Sequence, residues 1–373
     1  MDRPALLEWL KLIRTPGLGP VRIRHLLRHF GGAQAVLAAS DQEWEGVPGI
    51  HHSFVQKILP LRRGMDSGTI QQELDRLHSL GGTLLVLGDA GYPPLLQEIY
   101  DPPPALFVLG DPGHLLREES VAVVGSRRAT PGGSRFAYRL GMDLARNGLV
   151  TVSGLAEGID TAAHWGALEG QGVTIAVLAT GLDVLYPSCN DRLRRRIITQ
   201  GCLVTEAPLG TPPAAHLFPP RNRIISGLCR GVAVVEAAIR SGSLVTARLA
   251  LEQGREVFAV PAQVGDPRYQ GSNQLLRQGA TYLERVEDIL NVFSWDARPP
   301  SREGPVDEGR DLPMAGTPSA AVHAMLQHGP VQGDELARRC HLTVAALSRI
   351  LLQLELVGVV QRLPGNQFAL RRM

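Results

Sequence analysis

Between residues 83 and 295, short runs rich in β-branched residues alternate with stretches whose apolar residues recur at helical spacing. Because neighbouring parallel strands need long crossovers that usually contain a helix, this alternation predicts a mostly parallel β-sheet with helices on both faces. The first part of this region is expected to add strands at one edge of the sheet. The expected strands are Thr83–Gly88 and Ala105–Gly110 at the edge, then Val121–Gly125, Val150–Ser153, Thr174–Ala179, Cys202–Glu206, Val232–Glu236 and Glu256–Pro261.

Residues 1–80 are predicted to form a small all-α domain. Two turns, Pro16–Gly19 and Val47–Ile50, lie between apolar helical stretches, as in helix-hairpin-helix or SAM-like modules. Backbone amides at such turns can hold a phosphate. A plain pack of helices that binds a protein, or nothing, explains the same glycines equally well, so both interpretations stay open.

Beyond the sheet, residues 296–318 are rich in proline, glycine and charge, which is typical of a linker. Residues 319–373 predict a winged-helix domain, in which three helices precede a hairpin over Val359–Leu370. The third helix, Thr343–Val357, offers only Arg349 as a strong contact to phosphate or base, so dimer or partner contact is at least as well supported as DNA reading. The first two helices are expected at Ala320–Gln327 and Gly333–Cys340.

The predicted fold class is therefore α/β, with a Rossmann-like, mostly parallel sheet between a small all-α N-terminal domain and a C-terminal winged-helix domain. No apolar run approaches the roughly 18 residues that a membrane-spanning helix needs, and the first residues do not begin a signal peptide. The four cysteines form no CxxC pair and no metal-ligand cluster, so they are expected to be reduced thiols. A cytoplasmic location without membrane association is expected.

Arginine is unusually frequent, because Lys11 and Lys57 are the only lysines among 38 basic residues. Guanidinium groups bind phosphate through two parallel hydrogen bonds and stack on bases, which suits a nucleic-acid partner. Codon bias in a GC-rich genome explains the overall count better, and the net charge of +2 argues neither way. Only the local placement of the arginines therefore carries information.

Three loops that follow predicted strands are rich in small residues. Ligands of open parallel sheets bind at the carboxyl ends of the strands, near the point where the strand order reverses. Glycine and serine at the start of a helix let backbone amides and hydroxyls approach phosphate oxygens. Three such loops at one edge of the sheet predict an anion site. The residues expected there are Gly125, Ser126 and Arg127, then Ser153 and Gly154, and then Ser241, Gly242, Ser243 and Thr246.

A further motif begins at Phe218 and continues with Arg221, Asn222 and Arg223 at the start of a helix. In a protein that binds single strands, the arginines would contact phosphates and the aromatic ring would stack a base, worth about 1–3 kcal/mol. Taken alone, the motif fits better with a helix start whose arginines pair with carboxylates and whose Phe218 packs in the core. In a nearby arginine-rich run, Arg192 lies nearest the strand-end loops and is the functional candidate.

Common cofactor and catalytic signatures are not matched. No GxGxxG follows the first strand and no GxxxxGK[ST] loop is present, so neither a dinucleotide nor any other cofactor is predicted. Asp160 and His164, together with the strand-end residues Glu206 and Glu236, could supply an acid–base pair. Structural roles explain them better, since an acidic residue near a helix start interacts favourably with the helix dipole. No catalytic or metal-ligating residue is predicted.

Together these motifs resemble the DprA (Smf) DNA-processing family. The resemblance runs nearly continuously from about Gly91 to Ala280, and so many ordered blocks make a chance match implausible. The flanking domains are similar, by pattern only, to the family's optional SAM-like and winged-helix domains. The matching blocks are Tyr92–Leu96, Asp101–Pro103, Val123–Arg127, Ser153–Asp160, Tyr186–Pro187, Phe218–Pro219, Arg221–Ile225, Ser241–Ser243, Thr246–Ala247 and Gly254–Pro261.

The resemblance implies a dimeric cytoplasmic protein that binds single-stranded DNA, protects incoming DNA and helps to load RecA recombinase during natural transformation. Single-strand binding protein is a further candidate partner. Arg127 would contact phosphate. The pocket and its border would be formed by the Ser153–Gly154 and Ser241–Ser243 loops with Phe218, Arg221, Asn222 and Arg223.

Two positions depart from the family pattern. Ala262 replaces the glycine of a Pro-Gly pair, and alanine tolerates positive φ poorly, so the conformation of this loop is expected to differ. Ser188-Cys189 stands where a lysine is common, which shifts the expected phosphate contact to Arg192.

Two other functions compete with this one. The fold also resembles the lysine-decarboxylase-like nucleotide phosphoribohydrolases, whose Pro-Gly-Gly-x-Gly-Thr-x-x-Glu loop carries a catalytic glutamate. The corresponding loop here runs from Ser241 to Thr246, and Arg248 follows where an acid would be needed, which favours binding over hydrolysis. The other possibility is a scaffold whose terminal domains act through protein contacts.

Overall fold

Six helices form the N-terminal part of the chain. The computed structural model describes residues 2–63, 67–263, 265–295, 318–327, 329–340, 342–343, 346–348, 350–351, 354, 360–363 and 366–370. Local capping sets several helix starts: Asp2 accepts a hydrogen bond from the amide of Ala5 at 3.1 Å, and Ser40 forms a capping box with Glu43. The helices are α1 Arg3–Arg14, α2 Pro20–Phe30, α3 Ala33–Ala38, α4 Asp41–Glu45, α5 His52–Arg63 and α6 Ser67–Ser79.

Nine strands form a single mixed sheet, and the prediction of a mostly parallel sheet is confirmed. They are β1 Gly82–Val86, β2 Ala105–Gly110, β3 Ser120–Val124, β4 Val150–Ser153, β5 Thr174–Val177, β6 Cys202–Thr205, β7 Gly231–Val234, β8 Glu256–Ala259 and β9 Thr281–Tyr282. Their order is β1-β2-β6-β5-β4-β3-β7-β8-β9, in which the β1–β2 and β2–β6 pairs are antiparallel and the other pairs are parallel. Most predicted strands extended one or two residues too far, and β9 was not predicted.

The strand order reverses at β3, which pairs with β4 on one side and with β7 on the other. The loops that follow β3 and β7 therefore open a crevice at the carboxyl edge of the sheet, where open α/β folds bind ligands. The helices of this region are α7 Pro94–Gln97, α8 Pro131–Arg146, α9 Ile159–Glu169, α10 Asp191–Gln200, α11 Phe218–Gly227, α12 Gly242–Glu252, α13 Gln270–Arg277 and α14 Val286–Phe293.

The N-terminal helices and the sheet share one hydrophobic core. Leu10, Trp44 and Leu74 from the helices belong to the same buried cluster as Phe107 and Leu203 from β2 and β6. The chain accordingly divides into two compact units, Met1–Pro300 and Ser301–Met373. The predicted boundary near residue 80 therefore marks the change from the N-terminal helices to the first strand of the sheet, inside one compact unit.

The second unit has the strands of a winged helix. Antiparallel strands β11 and β12 form the predicted hairpin, and a short strand, β10, pairs with β12. The predicted linker, apart from residue 318, lies outside the described residues, as do Arg349 and several other residues of the predicted third helix. The described elements are α15 Pro318–Leu326, β10 Val331–Gln332, α16 Gly333–Arg339, β11 Val360–Leu363 and β12 Gln367–Leu370.

Ala262 itself does not adopt a left-handed backbone conformation. Among the described residues, those with positive φ other than glycine do not include Ala262. Asn273 fastens the loop, since its side chain accepts from the Ala262 amide at 3.3 Å and donates to the Ala262 carbonyl at 3.2 Å. The chain therefore accommodates alanine here without the backbone strain that a positive φ would bring.

Candidate nucleic-acid interface

The loop after β3 exposes Arg127 and Arg128 at the carboxyl edge of the sheet. Its first residue, Gly125, has to be small, because a Cβ atom there would lie 2.6 Å from Cγ1 of Ile159. The start of α9 thereby fixes the backbone from which the two arginines extend. Within the described part of the chain, no carboxylate pairs with Arg127; its Cζ atom lies 4.9 Å from the centroid of the Phe218 ring. An exposed cation without an acidic partner is free to bind an anion.

Phe218 is the centre of a small aromatic cluster. Its ring is half-buried, and the Tyr186 ring lies 6.0 Å away, centroid to centroid, at an angle of 58°. The Cζ atom of Arg221 lies 5.8 Å from the same centroid, within the range of a cation–π interaction. Instead of packing in a closed core, Phe218 lines two cavities. A ring in this position can stack a base.

Arg221 is buried and holds the loop after β4 in place. The residue is 5% exposed, and its Nη1 atom donates to the carbonyl oxygens of Gly154 at 2.8 Å and Val177 at 2.5 Å. Burial lowers the pKa of Arg221 to about 10, although the negative charge of Asp160 opposes this change. The guanidinium therefore stays charged at neutral pH, with part of its hydrogen-bonding capacity committed to the backbone.

The Ser153-Gly154 pair owes its composition to the same packing. A Cβ atom on Gly154 would lie 2.1 Å from Nη1 of Arg221, so no other residue fits there. Oδ2 of Asp160 accepts from the Gly154 amide at 3.1 Å, and burial raises the pKa of this carboxyl group. The Ser153 hydroxyl is buried and donates to the carbonyl of Val123 at 2.6 Å. This motif therefore builds the wall of the site, and the Ser153 hydroxyl is not offered to a ligand.

Arg223 is engaged in ion pairs, as the structural interpretation of its motif proposed. Its side chain is 7% exposed, with Nε 3.2 Å from Oδ2 of Asp101 and Nη2 donating to Glu206. Asn222, one residue earlier, directs its side-chain amide to the carbonyl of Gly242 at a long 3.5 Å. Neighbouring residues of α11 thus face different surroundings, and Asn222 is the one that reaches the loop after β7.

The loop after β7 presents the start of α12 to the site. Ser241 caps the helix by accepting from the Ser243 amide at 3.3 Å, and the two hydroxyl oxygens lie 2.6 Å apart. Gly242 is exposed beside them, and Thr246 is buried one turn further on. The partial positive charge of a helix start favours an anion at this point.

A cavity of about 610 Å³ brings the predicted loops together. A smaller cavity of about 210 Å³ shares Arg127, Tyr186, Phe218 and Arg221 with it and adds Gly154. Because the two cavities share these residues, they form one continuous depression, which we call the edge cavity. The predicted residues that line its larger part are Gly125, Arg127, Phe218, Arg221, Asn222, Ser241, Gly242, Ser243 and Thr246.

Four predicted residues do not line the edge cavity. Ser126 accepts a hydrogen bond from the backbone amide of the second arginine of its loop at 3.1 Å. Ser153 is buried, as described above, and Arg223 lines a neighbouring cavity beside the N-terminal helices, which also contacts Arg221. Arg192 is exposed on α10, with its Cζ atom 5.7 Å from the centroid of the Trp165 ring.

The candidate acid–base residues have structural partners. His164 is fully buried, its Nδ1 lies 2.7 Å from the Thr174 hydroxyl, and burial lowers its pKa to about 3. Glu236 is also fully buried and accepts from the amide and hydroxyl of Thr130 at 3.0 and 2.9 Å, which fixes the start of α8. Neither side chain lines the edge cavity.

Sequence reasoning missed two features of this interface. Arg128 lines the smaller part of the edge cavity, and the Arg-Arg doublet was a visible signal for it. The ion pair of Arg223 with Asp101 joins residues far apart in the chain, and only the Asp-Pro-Pro motif singled out Asp101.

In the described residues, we find no set of three His, Cys, Asp or Glu side chains placed to bind a metal. Among the same residues, none of the helices has the length and apolarity needed to cross a membrane.

The fold defines a Rossmann-like protein whose sheet carries glycine-rich and serine-rich loops at its carboxyl edge, with helices before the sheet in the chain and winged-helix elements after it. Family models agree: DNA recombination-mediator protein A matches residues 83–294, the DprA-like N-terminal HHH domain matches 4–40, and the DprA winged helix domain matches 308–366. The chain belongs to the DNA recombination-mediator protein A (DprA/Smf) family.

Relatives support this assignment along most of the chain. Protein Smf of Escherichia coli is 44% identical over 98% of this chain and 96% of its own length. The X-ray structure of DNA processing protein A from Streptococcus pneumoniae superposes with a TM-score of 0.68 at 36% identity, covering 76% of this chain and 97% of that one. A structure of the Helicobacter pylori protein, described for its single-stranded DNA binding mode, gives 0.52 at 30% identity, covering 58% and 98%.

Proposed function

We propose that this protein binds single-stranded DNA in the edge cavity and acts as a recombination mediator. The observation that carries the proposal is the placement of the exposed, acid-free Arg127 beside the Phe218 ring, at the mouth of a cavity of about 610 Å³. One phosphate contact next to one stacking face is the minimal unit of a sequence-tolerant single-strand site.

Different residues of the site are suited to bind phosphate and to stack a base. Arg127, with Arg128 beside it, attracts the phosphate backbone, and the start of α12 at Gly242 offers backbone amides to a neighbouring phosphate. Phe218 stacks a base that has left its partner strand, which explains a preference for single strands over duplex. Arg221 holds the wall formed by the loop after β4, whereas the charge of Arg223 is balanced by Asp101 and Glu206. The single-stranded DNA binding mode of the Helicobacter pylori relative supports this assignment.

The finer biological role extends this proposal. By family membership, the bound strand would be protected and passed to RecA recombinase during natural transformation, with single-strand binding protein as a further partner. We propose a homodimer in the cytoplasm as the working form, because two sites on one strand bind more tightly than one. The domain limits are proposed as 1–80, 83–295 and 319–373, joined by a linker over 296–318.

Binding without catalysis is the better supported mode of action. In a hydrolase of the related fold, the loop corresponding to Ser241–Thr246 would be followed by a catalytic acid. Arg248 stands there instead, exposed on α12, with its Nε 3.8 Å from Glu252. The buried positions of His164 and Glu236 leave neither of them available to a substrate.

The proposal is tested by titrating fluorescently labelled oligothymidylate and a duplex of the same length with the full chain. We expect tight binding of the single strand and clearly weaker binding of the duplex. Incubation of the same preparation with nucleoside monophosphates should release no free base. Equal affinity for both DNA forms, or steady release of base, would overturn the proposal in favour of the phosphoribohydrolase-like enzyme.

A further inference from the structure

Two arginine side chains lie close to the indole ring of Trp165 on α9. The Cζ atoms of Arg192 and Arg196 lie 5.7 and 5.9 Å from the centroid of the indole. One side of the half-buried Trp165 packs against the core cluster of the N-terminal helices and the sheet. The indole ring therefore forms an aromatic surface outside the edge cavity. Trp165 lies on α9, and both arginines lie on the neighbouring helix α10.

The charges around Trp165 are incompletely balanced. Within the described chain no carboxylate pairs with Arg192, whereas Glu169 lies 3.8 Å from Nη1 of Arg196. The neighbouring Arg195 pairs with its own helix through Asp191 at 2.8 Å. Two like charges held over one ring repel each other, and a phosphate group placed between them would attract both.

A short stretch of chain connects this aromatic surface with the edge cavity. Tyr186 lines the cavity, and the chain leads from it into α10, which begins one residue before Arg192. Asn190 ties this segment to the start of α9, because its side-chain amide donates to the carbonyl of Leu155 at 2.9 Å and to the Thr161 hydroxyl at 2.8 Å. Trp165 lies six residues after the first residue of α9, which at about 1.5 Å per residue is roughly 9 Å along the helix.

We infer that Trp165, Arg192 and Arg196 form a second nucleotide subsite, onto which a single strand continues after it leaves the edge cavity. The inference rests on the proposed function and extends it. A base would stack on the indole while the two guanidinium groups turn outward to its phosphates. An acidic peptide would use the arginines in the same way but would have no need of the indole face, so the aromatic ring distinguishes the two ligands.

The test is the dependence of affinity on oligonucleotide length. Wild type and Trp165→Leu are titrated with labelled oligothymidylates from about 4 to about 16 nucleotides long. Leucine keeps an apolar contact with the core but offers no aromatic face. We expect the variant to bind the shortest strand like wild type and the longest strand about tenfold more weakly, and Trp165→Phe to recover most of this loss. Trp295→Leu, at a tryptophan that packs against Phe293 elsewhere, should change neither value.

Several outcomes would overturn the subsite. An unchanged affinity of Trp165→Leu at all lengths, or an equal loss at all lengths with a lowered unfolding temperature, would show that Trp165 is only structural. Arg196→Gln provides an independent readout at a half-buried position: it should lower the salt dependence of binding for long strands only. Failure of wild type to bind any strand would instead refute the proposed function, so the two failures are distinguishable. Weaker binding of an acidic peptide by Arg196→Gln but not by Trp165→Leu, without any loss on DNA, would assign the surface to a protein partner.

Discussion

Arg127 and Arg221 approach the same aromatic ring from opposite surroundings. Their Cζ atoms lie 4.9 and 5.8 Å from the centroid of Phe218, yet Arg127 is exposed on the loop after β3 and Arg221 is 5% exposed at the start of α11. One cation faces solvent without an acidic partner, and the other binds two backbone carbonyls near a buried carboxylate. Burial, and not the presence of arginine in a motif, therefore distinguishes an arginine that can contact a ligand from one that supports the structure.

The largest effect is expected from Arg221→Ala. Removing the buried guanidinium leaves the nearby buried carboxylate of Asp160 without a compensating charge, and an uncompensated buried charge costs about 3–5 kcal/mol. We expect that much loss in the free energy of unfolding, measured by urea denaturation, together with loss of DNA binding. The double variant Arg221→Met with Asp160→Asn should be clearly more stable than the single one. A stability of Arg221→Ala equal to wild type would remove the distinction between the two arginines.

Phe218→Leu should change binding and leave stability nearly unaffected. Loss of the stacking face should weaken single-strand binding by about 1–3 kcal/mol, as seen when aromatic residues are removed from other single-strand sites. Fluorescence titration at one salt concentration measures this effect, and Phe218→Tyr is the matched control that retains the ring. If leucine and tyrosine bind equally well, Phe218 stacks no base.

The loss of stability at acid pH should show that His164 is buried in its neutral form. His164 titrates at about 3 in the folded protein, lowered from 6.5 by burial and by the charge of Arg221. Since the unfolded chain takes up the proton first, this contribution is complete above pH 6.5 and is lost as the pH falls, by about 1.4 kcal/mol at pH 5.5. Urea midpoints between pH 8 and pH 5 should fall less steeply for His164→Gln. Parallel profiles for the two proteins would contradict a neutral, buried His164.

Much of the fold and of the site could be predicted from sequence, because both depend on local patterns. The alternation of strands and helices fixed the sheet, and small residues after strands marked the loops around Gly125 and Ser241, which do line the edge cavity. The role of Arg221 could not be predicted, because it depends on carbonyls 44 and 67 residues away in the chain. The same holds for Ser153, whose hydroxyl is used by the backbone of β3.

Arg192 shows a second limit of sequence reasoning. Its position after the Tyr186-Pro187 motif made it the functional candidate nearest the strand-end loops, and although it is exposed it lines neither part of the edge cavity. Its aromatic neighbour, Trp165, belongs to another helix, and only the packing of α9 against α10 brings them together. The sequence position of Arg192 made it a candidate, but the tertiary structure determines which surface its side chain belongs to.

The central claim is that Arg127 contacts phosphate directly, and the salt dependence of single-strand affinity tests it most directly. Wild type and Arg127→Ala are titrated with the same oligothymidylate at several salt concentrations, and the logarithm of affinity is plotted against the logarithm of salt concentration. Each lost phosphate contact lowers the slope for single strands by about 0.7. We predict a slope lower by about that amount in Arg127→Ala, with an unchanged unfolding midpoint. Identical slopes for the two proteins would contradict the account, because they would show that Arg127 touches no phosphate.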